Sequence, residues 1–290
     1  MVFNMKENRF LSFLIIGIIY IIASAVGIIC FNLLKFDLWL NLLIADVVAT
    51  IFVFIFSCIF HNASVYDPYW SVQPIVIVVA FAFISKLTPI KLIVVLAILY
   101  WGIRLTSNWA YTFKNLSEED WRYKMLKAKN GKLYPIINFL GIHLMPTLIV
   151  YLVTLPAVYI ICYTVATNLL SILFALLSIT ATTIQMVADY QMHKYRKNAT
   201  SEKIFTGGLW NYSRHPNYLG EVLMWWGIGL CAISLFGVNY MFLLSGAIIN
   251  TLLFEFISIP LAENKLNERL GFDEYKARTH RLLLLPNKRT

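Results

Sequence analysis

The chain has 290 residues, of which 59% are apolar and 13% charged, with a formal net charge of +9. A soluble domain is nearer half apolar and a quarter charged, so the composition excludes an ordinary soluble fold. Residues 10–34, 47–66 and 136–188 carry no formal charge. About 20 apolar residues cross a bilayer as a helix, so the last of these stretches is long enough for two crossings.

The expected fold class is therefore all-α, a polytopic membrane helical bundle of seven or eight transmembrane helices forming a single integral membrane domain over 1–290. The predicted helices are 10–34, 38–60, 70–86, 90–112, 136–160, 165–188, 218–238 and 240–262. The first is read as a membrane helix and not a cleaved signal, because its apolar run exceeds a signal core and no small-residue cleavage pattern follows. "KFD" (35–37) and "HNASVYDP" (61–68) separate the first three helices, "KLTPIK" (86–91) opens the fourth with a proline, and "TVATN" (164–168) splits the long uncharged run by length alone. Cys30, Cys58, Cys162 and Cys231 stand singly inside apolar segments, a pattern that suggests neither disulfides nor a metal site.

With eight crossings, both termini and the loops 113–135 and 189–217 share one side with the tail 263–290. That side holds 20 of the 24 Lys and Arg residues, the other side three, and Arg104 lies within a helix. Such asymmetry marks the cytoplasmic side, and attraction to anionic headgroups accounts for the basic balance without nucleic acid. Both termini and the polar loops are expected in the cytoplasm, with membrane lipids as partners and oligomeric state unassigned.

The polar groups cluster in five places. In "SVYDPYWS" (64–71), Tyr and Trp suit the membrane interface, and Asp67 is either a helix cap or a functional acid. In "YWGIRLTSNWAYTFKNLSEEDWRYK" (100–124), Arg104 is a lone cation in an apolar helix, a placement that lines a cavity or meets an anion. "SEED" (117–120) reads as a helix start capped by Ser117, and Arg122 and Tyr123 either contact phosphate or sit among headgroups. "ADYQMHKYRKN" (188–198) places Asp189 and Arg196 seven apart, on one face of a continuing helix. That pair suits a ribose hydroxyl and a phosphate, or an ordinary helix end with snorkelling cations.

The densest cluster is "GGLWNYSRHPNYLGE" (207–221). Pro216 suits the first turn of a helix. The free N–H groups there, with Arg214 and His215, make an anion site. Glu221 lies four residues past Asn217, one turn into the helix, where a carboxylate is costly unless paired or facing a polar cavity. It either belongs to a site or ties helix ends together. The tail "AENKLNERLGFDEYKARTHRLLLLP" (262–286) starts as an amphipathic helix, breaks at Gly271, and carries Tyr275, Arg278, His280 and Arg281. It packs at the interface or folds back as a lid. Asp46 and Glu255 are further acids embedded in apolar sequence.

Taken together, "EDWRY", "ADYQ", "GLWNYSRHPNYLGEVLMWWG" and "DEYKARTHRLLLLP" resemble the bacterial membrane family (domain of unknown function 1295) related to steroid 5-alpha-reductases, over residues 60–286. "RHPNYLGE" alone also resembles strings in sterol reductases and in isoprenylcysteine and phospholipid methyltransferases. The resemblance implies an NADPH-dependent reductase of an activated carbon–carbon double bond in a steroid-like or isoprenoid lipid, a hydrophobic substrate that enters from the bilayer. It implies that Arg104, Arg196 and Arg214 meet phosphates, that Asp189 holds a ribose, and that Asn217, beside Tyr218, and Glu221 hold the nicotinamide carboxamide. Arg122, Tyr123, Tyr190, His215, Tyr275 and Arg278 complete the implied cofactor set. The reductases polarise an enone carbonyl with a Glu and a Tyr. Here Asp67 is the nearest acid, and Tyr100 or Trp101 stands where the Tyr belongs. Two alternatives remain: an S-adenosylmethionine-dependent lipid or prenyl-thiol methyltransferase, and a transporter lined by Asp46, Glu221 and Glu255. Three arginines suit a pyrophosphate better than the adenosylmethionine cation, and transport sites lie nearer the midplane than these one-sided groups do.

Overall fold

The computed structural model describes residues 6–164, 166–198 and 203–287. The fold is all-α: the described residues contain no strand and hold eight helical stretches long and apolar enough to cross a membrane. The chain is an integral membrane protein. The start of the predicted sixth helix at Val165 and the approach residues Ser201 and Glu202 lie outside the described residues.

The chain divides into two compact units. Residues 1–83 and 102–155 form the first, and residues 84–101 and 156–290 the second. Helix α1 (Arg9–Leu33) begins at Asn8, whose side chain accepts from the Leu11 amide at 3.1 Å. Helices α2 (Leu38–Phe60) and α3 (Tyr69–Ile84) follow. In the first unit, Ile16, Ile19, Tyr20 and Ala23 of α1 pack with Ala49 and Val53 of α2 and with Val65, Tyr66 and Tyr69. Lipid tails are as apolar as these side chains, so close packing and internal hydrogen bonds hold such an interface, more than the hydrophobic effect does. One such bond is Tyr20 Oη donating to the Val65 carbonyl at 2.6 Å.

Helix α4 (Pro89–Thr112) passes from the second unit into the first. The expected loop 113–135 contains α5 (Trp121–Asn130), and its cap is not Ser117. Asp120 Oδ1 accepts from the Arg122 amide at 2.8 Å, while the Ser117 hydroxyl bonds Asn115 Oδ1 at 2.6 Å. The acid three residues later outcompetes the serine because its carboxylate makes the stronger cap at a positive helix end.

Next come α6 (Tyr134–Ile137), a π-helical segment (Asn138–Leu144) and α7 (Met145–Tyr163) as one continuous path. The π segment ends just before Pro146, and a second one, Phe254–Ser258, ends just before Pro260. Proline lacks the N–H that the preceding turn needs, and the wider turn absorbs the mismatch.

The break after α7 is real. Helix α8 (Leu169–Asn198) starts at Asn168, whose Oδ1 accepts from the Ser171 amide at 2.8 Å. It continues ten residues past the predicted end at 188, because nothing in "DYQMHKYRKN" breaks a helix although hydropathy falls. Helix α9 (Pro216–Phe236) packs along α8 through a glycine face. A Cβ at Gly220 would lie 2.5 Å from the Ala181 carbonyl, and one at Gly227 would lie 2.7 Å from that of Phe174. Helices α10 (Ser245–Leu253), α11 (Ile259–Leu266) and α12 (Phe272–Arg278) complete the second unit.

Candidate functional site

The densest polar cluster forms where α9 begins. Pro216 occupies the first turn of α9, as its missing N–H and fixed φ favour. Just before it, the Arg214 amide donates to the His280 carbonyl at 2.9 Å, and Ser213 Oγ donates to the Leu282 carbonyl at 2.7 Å. The tail is thereby laid against the entry to α9.

Arg214 is buried and makes three side-chain hydrogen bonds. Its Nε donates to Glu263 Oε1 of α11 at 2.8 Å, and its Nη1 donates to the carbonyls of Lys276 and Thr279 at 3.1 and 2.6 Å. His215 meets the same Glu263 oxygen at 3.2 Å through Nε2. A carboxylate only accepts, so Nε2 carries the ring proton. Burial outweighs the nearby Glu263 charge and lowers the His215 pKa below its ordinary value, with Arg214 and Arg281 acting in the same direction. The ring stacks on Tyr218 at 5.3 Å. Tyr275 of α12 is buried beneath, its hydroxyl donating to the Trp210 carbonyl at 2.5 Å, and burial raises its phenol pKa.

One turn further along α9, Glu221 is buried between two indoles. Trp101 Nε1 donates to Oε2 and Trp225 Nε1 to Oε1, both at 2.8 Å. The carboxylate therefore ties α4 to α9. Beside it, Asn217 Nδ2 donates to Asp189 Oδ1 of α8 at 3.3 Å. Because Asp189 can only accept, this bond fixes the amide orientation. Asn217 Oδ1 is then left buried and without a hydrogen-bond partner, as is Arg278 Nε in the tail. Further along α8, Tyr190 is 65% exposed, and Arg196 stands within electrostatic reach of both Asp189 and Arg269.

The remaining predicted residues are distributed over both units. Tyr100 of α4 lies in the second, and its hydroxyl reaches Thr183 Oγ1 at 3.2 Å. The Thr183 hydrogen goes to the Ile179 carbonyl, so Tyr100 is the donor. Asp67 lies in the first unit, where its Oδ1 accepts from Tyr123 Oη at 2.5 Å. Arg122 is paired with Asp120 at 2.8 Å, and Arg104 is half-buried on α4. The structure thus joins Asp189 to Asn217, Asp67 to Tyr123, and Arg214 and His215 to a common acid. Two partners in the site, Glu263 and Trp225, are residues that sequence reasoning passed over. Glu263 sits in a run of charged residues that reads as a solvated face. Trp225 reads as membrane-facing bulk, although its four-residue spacing from Glu221 is a legible signal.

A model of the family described as protein of unknown function (DUF1295) matches residues 53–279. No match was found among curated proteins or among solved structures. The chain belongs to the DUF1295 family.

Proposed function

We propose that this DUF1295 protein is an NADPH-dependent membrane reductase of an activated carbon–carbon double bond in a steroid-like or isoprenoid lipid, of bacterial origin and related to the steroid 5-alpha-reductases. Its termini and polar loops face the cytoplasm, a reading that the one-sided distribution of Lys and Arg supports. The observation that carries the reading is the Asp189–Asn217 pair with its partnerless, buried Asn217 Oδ1.

The second unit holds the cofactor cradle. A buried carbonyl oxygen without a donor carries a desolvation cost, and a carboxamide N–H₂ relieves it. Asn217 therefore orients the nicotinamide, and Asp189, already aligned by Asn217, accepts from a ribose hydroxyl. Arg278 Nε, likewise buried and unpartnered, and Arg196 beside Arg269 take the phosphates. Arg214 and Glu221 support this cradle from behind, since their polar atoms already hold Glu263 and two indoles. When bound, NADPH supplies the hydride. Tyr100, half-buried on α4, turns its proton from Thr183 to the substrate's carbonyl.

Thermal shift of the purified protein in detergent tests this. NADPH at about 100 times its Kd stabilises the fold by about 2.7 kcal/mol, and Asn217→Leu and Arg196→Ala each remove the shift. Stabilisation by S-adenosylmethionine alone would replace the reductase with a lipid or prenyl-thiol methyltransferase. No response to NADPH, NADH or S-adenosylmethionine would reject both.

A further inference from the structure

The first unit contains a second buried polar system, made of groups that the reductase reading leaves unused. Tyr66 Oη and Thr147 Oγ1 are 2.7 Å apart, and Thr147 Oγ1 and Thr50 Oγ1 are 2.9 Å apart. The three hydroxyls form one continuous chain. Thr50 and Thr147 are 0% exposed and Tyr66 is 1% exposed.

Each end of this chain adjoins a titratable group. Asp46, 5% exposed, stands four residues before Thr50 on α2 and so shares its face. Gln73 Nε2 donates to Asp46 Oδ2, and Tyr69 stands beside both Asp46 and Thr50. At the other end, His143 packs its ring 4.6 Å from that of Tyr66 and stands about one turn before Thr147, in the π-helical segment. Its Nδ1 lies 3.0 Å from the Asn138 carbonyl. A carbonyl only accepts, so Nδ1 carries the proton and Nε2 is a bare acceptor. That Nε2 is buried with no hydrogen-bond partner. Among the described residues, the other titratable groups around the system include Tyr69, Tyr20 of α1, whose ring lies 5.3 Å from Tyr69, and Asp67, whose charge acts on Tyr20.

Three hydroxyls joined by two hydrogen bonds keep one O–H free for an outside acceptor. Pointing one way, the chain presents that proton at Thr50, which is hydrogen-bonded to Tyr69 beside Asp46; pointing the other way, it presents it at Tyr66, whose ring packs on His143. Both directions use the same oxygen positions, so reversing the chain moves a proton between its ends without moving a heavy atom.

We propose that Asp46, Thr50, Thr147, Tyr66 and His143 form an intramembrane proton relay. A protonated Asp46 gives its proton to the Thr50 end, each hydroxyl passes one proton on, and His143 Nε2 receives one. Neutral carboxyl and imidazole become carboxylate and imidazolium; only O–H and N–H bonds change, and no electrons are transferred. Ionisable groups buried in membrane segments are expensive and are retained for such work, and wide helical turns recur at functional sites. The relay does not depend on the identity of the cofactor or substrate.

The test is a pH jump on the full-length protein in detergent, followed by infrared difference spectroscopy of its carboxyl groups. Asp46→Asn identifies the Asp46 band. That band follows the jump in the wild type. Thr147→Val, which keeps the shape but removes the hydroxyl, slows it at least about tenfold, equivalent to about 1.4 kcal/mol of barrier. Thr147→Ser restores the rate. Thr50→Val repeats the interruption from the other helix, and the valine variant that retains the wild-type melting temperature is the one scored. No Asp46-dependent band, or an unchanged rate in the scored variant, would overturn the relay.

Discussion

Arg214 and Glu263 form a buried ion pair at 2.8 Å that joins the entry of α9 to α11, while the same guanidinium holds the carbonyls of Lys276 and Thr279 in the tail. Removing one member of such a pair is costlier than the pair is stabilising, because it leaves a charge buried alone. Glu263→Ala is expected to cost about 3–5 kcal/mol, read as a lower melting temperature in detergent. Glu263→Gln, which keeps an acceptor for Arg214, costs less. Proteolysis should cut the tail near residues 279–287 faster in Glu263→Ala. Equal melting of wild type and both variants would show that the pair does not hold the tail.

His215, which bonds the same acid, carries a pH dependence that its burial sets. The folded state keeps this imidazole neutral, chiefly by burial, so its pKa is lower folded than unfolded. The unfolded chain takes up a proton as pH falls through about 6.5, and the folded chain resists doing so. Stability contributed by neutral His215 is therefore complete above that value and is lost as pH falls toward the folded pKa. His215→Gln, whose amide still donates to Glu263, should flatten the decline of melting temperature on mild acidification. A decline of the same slope in the variant would assign the dependence to another group.

Glu221 is satisfied by donors on both oxygens, one from Trp101 and one from Trp225. Glu221→Gln keeps the shape, yet places an N–H₂ group against one of the indole N–H groups. One buried donor loses its acceptor, at a cost of about 1–3 kcal/mol. Unfolding followed by tryptophan emission reads both stability and the local environment of the indoles. An unshifted melt would mean that the carboxylate is not the junction between α4 and α9.

What the sequence made legible follows from what each signal reports. Uncharged length located the crossings, because the bilayer sets how long an apolar helix must be. It misplaced the end of α8, since hydropathy reports the surrounding solvent and "DYQMHKYRKN" remains helical while turning polar. Pro216 was readable as a helix start because proline acts locally. Asp189 and Asn217 were readable singly, but their bond joins helices across 28 residues and needs the packing of α8 on α9. Glu263 was hidden for the opposite reason: its charged neighbours give a solvated pattern, and only the fold turns it inward onto Arg214. The Thr50–Thr147 contact, 97 residues apart, left no pattern at all.

The packing of α8 on α9 rests on the absence of side chains at Gly220 and Gly227, seven residues apart on one face of α9. A methyl group at Gly227 would lie 2.7 Å from the Phe174 carbonyl and 3.0 Å from the Ser178 amide, and would also strike Ser178 Oγ. Backbone cannot step aside as a flexible side chain can. The serine is not idle either, since its hydroxyl donates to the Met224 carbonyl at 2.9 Å and so links the two helices. Gly227→Ala therefore overpacks the interface and disturbs a bridging hydrogen bond, with an expected cost of at least about 1–3 kcal/mol. The control is Gly17 in α1, where an added Cβ meets nothing within 4 Å. Gly17→Ala should be neutral or stabilising, because alanine favours a helix over glycine by up to about 1 kcal/mol. If both alanines melted alike, close approach of α8 and α9 would not be what these glycines provide. A separation of the two would also reach the candidate site, since forcing α9 off α8 draws Asn217 away from Asp189 and leaves both groups to find other partners.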